Sequence, residues 1–222
     1  MDKMSEMFEM FRLIGEDLYR RGLIDSHGGS ISVRSGERIF INSRDCMLAH
    51  LKTEDIVEVG IEPSESDSKA SRELQVHRAI YKETAYTAIV EAHPPKAIIL
   101  SVNESKIIPQ DAKGALFIKS VPVVKVRDKI GSDEVSRLLP PIYRSDYVIA
   151  VVKDYASFAV GKTLEEALKY TTCLEQSCEI LLYLKLLERK EIKAPEPAQR
   201  RRAIPPSIGV MDRERDKRRF HR

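Results

Sequence analysis

The chain has 222 residues, 42% of them hydrophobic, with 37 Lys and Arg against 34 Asp and Glu. That length suits one large domain with its own core, and no apolar run approaches the ~20 residues of a membrane span. The three cysteines form neither a disulfide framework nor a CxxC pair, so free thiols, a reducing compartment and a soluble cytoplasmic protein without a membrane partner are expected.

Residues 4–21 carry Met7, Phe8, Phe11, Ile14 and Leu18 at helical spacing and stop at Gly22. A glycine-rich turn over 26–30 leads into a hairpin of strands 31–34 and 38–42 around Ser35-Gly36. A short helix over 51–56 feeds a strand over 56–61, and a polar, Ser-rich loop fills 62–70. A helix over 73–82 and a strand over 88–91 follow, stopped by Pro94-Pro95. The pattern then predicts a helix over 96–102, a strand over 121–126 and a helix over 132–139 closed by Pro140-Pro141. A second hairpin pairs 147–152 with 157–160, and a long helix over 164–187 opens with Thr163 and Glu166 as a capping box. Strand pairs with helices between and outside them predict a single α/β domain over 1–188, its central, mostly antiparallel sheet flanked by helices. Residues 189–222 hold 12 Lys and Arg against 5 Asp and Glu, with four prolines, so a flexible basic tail follows an acidic body. The tail leaves nucleic acid open as a partner, but no aromatic interleaving or recognition motif supports it.

The chemistry concentrates between Ser71 and Pro95. Residues two apart on a strand share a face, so Glu91 and His93 reach one cleft together, and Glu73 approaches it from the preceding helix. A carboxylate and an imidazole at one strand end form a metal half-site. His77, four residues after Glu73, is read as packing between helix and sheet. Arg44 and Arg72 carry guanidinium groups suited to a small anionic ligand.

Several stretches, in this order and spacing, resemble the class II aldolase/adducin family. They are GLIDSHGGSISVR, IFINSRDCMLAHLKTEDIVEV, SRELQVHRAIY, VEAHPPKAI, VPVVKVRDKIGSDEV and VVKDYASFAVGKTLEEAL, lying between residues 22 and 168, and the resemblance as a whole covers roughly residues 7–188. The resemblance implies a divalent metal, most often zinc, held by an HxH pair and the histidine of an NHG. It also implies a glutamate that moves protons and a Ser/Thr/Gly cradle for phosphate. His93 stands at the second histidine of HxH, and Glu91 replaces the first. Tyr155, in Asp154-Tyr155-Ala156, replaces the third, and a phenol titrating near ~10 is a poor ligand at neutral pH. Glu73 keeps the glutamate position. Arg44-Asp45 and Ser71-Arg72 stand where the neutral cradle residues would be, and Ser30 replaces an asparagine. Gly131-Ser132 resembles a Gly-Thr turn, without the tyrosine expected upstream.

The expectations are therefore these. Catalysis falls to Glu73 and Tyr155, substrate binding to Ser30, Arg44, Ser71 and Arg72, and zinc to Glu91 and His93, with Glu73 as a further donor. The activity is a metal-dependent carbon–carbon lyase on a small phosphorylated or carboxylated carbonyl compound, and the assembly is a homotetramer. The rival is an inactive, adducin-like member that binds a ligand or protein partner. Metal-free enolisation or dehydration ranks last, because no base paired with an orienting group is visible in the sequence.

Overall fold

The computed structural model describes residues 3–191, so the basic tail expected over 189–222 lies almost wholly outside the described residues. α1 (Lys3–Arg20) buries Phe11, Ile14 and Leu18 on one face. The hairpin strands β1 (Ser30–Ser35) and β2 (Arg38–Asn42) turn at Gly36, and β3 (Ile56–Gly60) adds to β2. α2 (Leu74–Glu83) precedes β4 (Ala88–Ala92), which pairs with β1. Then come α3 (Pro95–Ser101), β5 (Lys106–Ile107), α4 (Ala112–Phe117), β6 (Val121–Val124) and α5 (Asp133–Arg144). The hairpin β7 (Ile149–Val152) and β8 (Ala156–Gly161) leads into α6 (Leu164–Glu191).

The eight strands lie in the order β3-β2-β1-β4-β8-β7-β6-β5, and every neighbouring pair is antiparallel except β6 with β7. Two apolar layers cover the sheet. One joins Phe40, Val90 and Val151 to α1 and α6, and the other joins Ile39, Ile41, Ile89 and Val152 to α2 and α5. Neighbours along each strand thus go to opposite layers, as the two-residue period requires. β4 is buried along its whole length because helices cover both of its faces. Its junction with β8 joins the two parts of the chain, with Glu91 opposite Phe158 and Ala92 opposite Ser157.

The expected α/β domain with a central, mostly antiparallel sheet is what the chain adopts, with local differences. The helix expected over 51–56 is two three-residue turns, Leu48–His50 and Thr53–Asp55. Leu48 and Leu51 are buried, but the polar stretch between Lys52 and Asp55 has no apolar face to bury, so no longer helix is stabilised. β5 and α4 have no counterpart in the sequence reading, being two and six residues long and lacking a resolvable period.

α5 runs through Pro140 and Pro141 to Arg144 instead of stopping at residue 139. Its buried face, Val135, Leu139 and Tyr143, continues the spacing past the prolines, and the Tyr143 hydroxyl donates to the Phe158 carbonyl at 2.8 Å. Arg137, whose carbonyl loses its partner at Pro141, sits on the exposed side, where water can serve it. Tyr143→Phe should therefore lower stability by about 0.5–1.5 kcal/mol, read as a lower urea midpoint with an unchanged slope.

Thr163 caps α6 by accepting from the Glu166 N–H at 3.2 Å. The Glu166 carboxylate takes the Lys162 N–H rather than that of Thr163, so the capping box is shifted by one residue. Further along α6, the Glu175 carboxylate accepts from the Lys96 and Ala97 N–H groups and so holds the start of α3, just after His93.

Candidate active site

Strand parity puts Glu91 on the α2 side of the sheet, the side of Ile89 two residues earlier. Ser30 is its antiparallel partner on β1 and shares that side. His93 lies one residue beyond β4, and its N–H donates to the Leu23 carbonyl at 2.7 Å. Glu73 sits at the N-cap of α2 and is 3% exposed. Tyr155 comes in from the β7–β8 turn.

Two close pairs form there. Glu73 Oε1 accepts from the Tyr155 hydroxyl at 2.6 Å and from the Gly131 N–H at 2.8 Å. Glu91 Oε1 lies 2.8 Å from His93 Nε2, an ion-pair distance, but the two atoms are not aligned as a hydrogen bond. The His93 and Tyr155 rings are 5.6 Å apart, centre to centre. Beyond that ion pair, two buried atoms of the cluster have no polar partner among the described residues: Ser30 Oγ and Glu73 Oε2.

The environment sets the protonation states. Burial, and then the charge of Glu91, push Glu73 up to about 7, while its bonds from Tyr155 and Gly131 pull the other way. Burial works against a charged His93, but the adjoining Glu91 carboxylate, helped by Asp25 and Glu73, outweighs it and raises its pKa. Burial and the charges of Glu91 and Glu73 raise Tyr155 far above the ordinary phenol. Tyr155 is thus a hydrogen-bond donor here and no phenolate ligand.

Of the expected residues, Glu73, Tyr155, Glu91, His93 and Ser30 come together in this cluster. Arg44, Ser71 and Arg72 line an adjacent cavity of about 460 Å³ with Gln75, Arg78 and Gly131. The Ser71 hydroxyl accepts from the Glu73 N–H at 3.2 Å, which ties the cavity to the buried carboxylate. Arg44 and Arg72 are exposed, and Arg72 stands 4.0 Å from Asp45. The guanidinium of Arg78, by contrast, is committed to Asp67 and the Gly60 carbonyl. His77 is a packing residue as expected: fully buried, held by Ser32 at 2.7 Å and pushed down to about 3 by burial.

The donor set is short of a metal centre. Glu91 and His93 face each other, Tyr155 is spent on Glu73, and no group of three His, Cys, Asp or Glu among the described residues converges on one ion position.

Two glycines also belong to the site through their backbones. Gly131 supplies the N–H to Glu73. Gly28 passes so close to His93 that a Cβ there would stand 2.8 Å from both His93 Nδ1 and Asp25 Oδ1. Gly28→Ala should displace the imidazole and lower ligand affinity at least tenfold in a calorimetric titration, with secondary structure intact by circular dichroism. Motif matching favours residues with functional side chains, and both glycines act through backbone position.

Comparison with known proteins agrees with the fold. The sequence profile of the Class II Aldolase and Adducin N-terminal domain matches residues 9–182. An L-fuculose phosphate aldolase of Methanocaldococcus jannaschii is 27% identical over 82% of this chain and 98% of its own. A methylthioribulose-1-phosphate dehydratase of Schizosaccharomyces japonicus is 22% identical over 78% of this chain and 85% of its own. The crystal structure of the L-fuculose-1-phosphate aldolase of Thermus thermophilus superposes with a TM-score of 0.79 at 32% identity, covering 88% of this chain and all of that one. The chain belongs to the class II aldolase and adducin family.

Proposed function

We propose that this protein is a lyase acting on a small phosphorylated sugar or a related α-hydroxy carbonyl compound. The observation that carries the reading is the position of Glu73. Its carboxylate is buried, raised to about 7, anchored through Oε1 and unpartnered at Oε2, next to a cavity with two exposed arginines. A carboxylate titrating near working pH both takes and returns a proton efficiently. Tyr155 orients Glu73 through Oε1. Arg44, Arg72 and Ser71 would hold the anionic end of the substrate, where guanidinium groups form strong charge-assisted bonds. Ser30 would bond a substrate hydroxyl.

The names of the relatives support the substrate class, since both the aldolases and the dehydratase are named for phosphorylated sugars. Class II aldolases generally depend on a divalent metal, typically zinc. The donors here do not fit that ion. The assembly proposed is a homotetramer in the cytoplasm.

The test is a panel of ketose 1-phosphates, followed for carbonyl fragments released by cleavage and for loss of water by mass spectrometry. Consumption of one compound, lost in Glu73→Gln, is the expected result. No consumption across the panel would replace this reading with that of a ligand-binding member without activity.

A further inference from the structure

The candidate active site lies on the α2 side of the sheet. A second cavity, of about 500 Å³, opens on the α1–α6 side, where the end of α1, the first turn of α3, α4 and the middle of α6 meet. That volume is in the range of small-molecule pockets. Each of these elements brings a basic group to it: Arg21 just after α1, Lys96 on α3, Lys113 on α4 and Lys169 on α6.

Two carboxylates, Glu175 and Glu179, line the same cavity, and both are committed to Lys96. Glu175 accepts from the Lys96 and Ala97 N–H groups and stands 3.3 Å from the Lys96 ammonium, and Glu179 stands 3.8 Å from it. Arg21 meets Asp17 through Nε at 2.8 Å, which leaves the two terminal nitrogens of its fork for another partner. Among the described residues no carboxylate lies within ion-pair distance of Lys113 or Lys169. The Lys169 ammonium sits instead 4.6 Å from the centre of the Tyr170 ring and 5.1 Å from that of Phe117. The ring faces fix where that charge stands and leave N–H donors over.

We propose that this cavity binds a phosphate monoester. Arg21, Lys113 and Lys169 approach from three separate elements, and a phosphate has oxygens enough to serve all three, where a carboxylate has two. Like charges gathered in one cavity repel until an anion neutralises them. Phe117, on the cavity wall and 37% exposed, offers a ring for the organic group of the ester. The Leu23 carbonyl, at the same cavity, accepts the His93 N–H at 2.7 Å, so the bound anion would stand one backbone contact away from the candidate active site. Binding here needs nothing from Glu73 and holds whether or not the chain is a lyase.

The test is calorimetric titration of the full chain with phenyl phosphate and, separately, with inorganic phosphate. Arg44→Gln and Arg72→Gln are carried throughout, so that the cavity beside Glu73 lacks its exposed guanidinium groups. The expected result is one phenyl phosphate per chain, bound about threefold tighter than inorganic phosphate, the worth of one aromatic pair. Adding Lys113→Gln and Lys169→Gln should weaken binding by about tenfold or more. Adding Phe117→Ala instead should bring the two ligands to equal affinity, with circular dichroism showing every variant folded. Unchanged affinity without Lys113 and Lys169 overturns the proposal, and so does the absence of binding at millimolar ligand in the chain that keeps them. Equal affinity for the two phosphates in the chain that keeps Phe117 overturns it as well, because the organic group then contributes nothing.

Discussion

Glu73→Gln should cost about 10²–10⁴-fold in turnover and at the same time stabilise the fold at neutral pH. The two effects share one cause. The folded chain holds the Glu73 carboxyl at about 7, against an ordinary value of 4.5. Between those values the folded state keeps a proton that the unfolded state has released. Stability therefore falls as pH rises from about 4.5 to about 7, by about 3 kcal/mol at most for a gap of this order. Glutamine is neutral throughout and can still accept from Tyr155 and Gly131 through its amide oxygen. Urea unfolding of both proteins at pH 4.5, 6 and 8 should show a stability advantage for the variant that grows with pH. An advantage that does not grow between pH 4.5 and 8 would mean that folding does not raise the proton affinity of Glu73.

Gly131→Ala carries the second large effect. Gly131 has φ +53°, a conformation that costs a residue with a Cβ about 1–3 kcal/mol. A Cβ there would also run into the Arg72 carbonyl oxygen. The segment must move, and the N–H that reaches Glu73 Oε1 moves with it, as does the carbonyl that accepts from the Gln75 amide. The Gly131 bond draws Glu73 downwards, so its loss raises the carboxyl further. The acidic limb of the pH–rate profile should shift to higher pH, with the variant less stable by about 1–3 kcal/mol in urea. A destabilised variant with an unmoved acidic limb would show that Gly131 supports the fold without setting Glu73.

Much of the site could be read from the chain because its residues sit at positions that local rules fix. Glu91 and His93 share a strand end, Glu73 opens a helix, and the Ser35-Gly36 turn sets the hairpin that brings Ser30 opposite Glu91. What these residues do to one another was not legible. The bond from Tyr155 to Glu73 spans 82 residues and depends on β8 pairing with β4. The contact of Glu91 with His93 depends on rotamers chosen by packing. α5 escaped for a similar reason: two prolines argue for a stop, and only the buried seats of Leu139 and Tyr143 make the longer helix the better solution.

The junction of β4 with β8 also sets when the site comes into being. Glu73, Glu91 and His93 leave the ribosome well before Tyr155, and 82 residues separate Glu73 from its hydroxyl partner. At roughly 5–20 residues per second that is a delay of about 4–16 s. During that interval β4 lacks the strand that pairs with its far edge. A solvated Glu73 titrates as an ordinary acid. Its raised proton affinity comes from burial and from the charge of Glu91, so the acidity of this one side chain reports on the packing of α2 against the sheet.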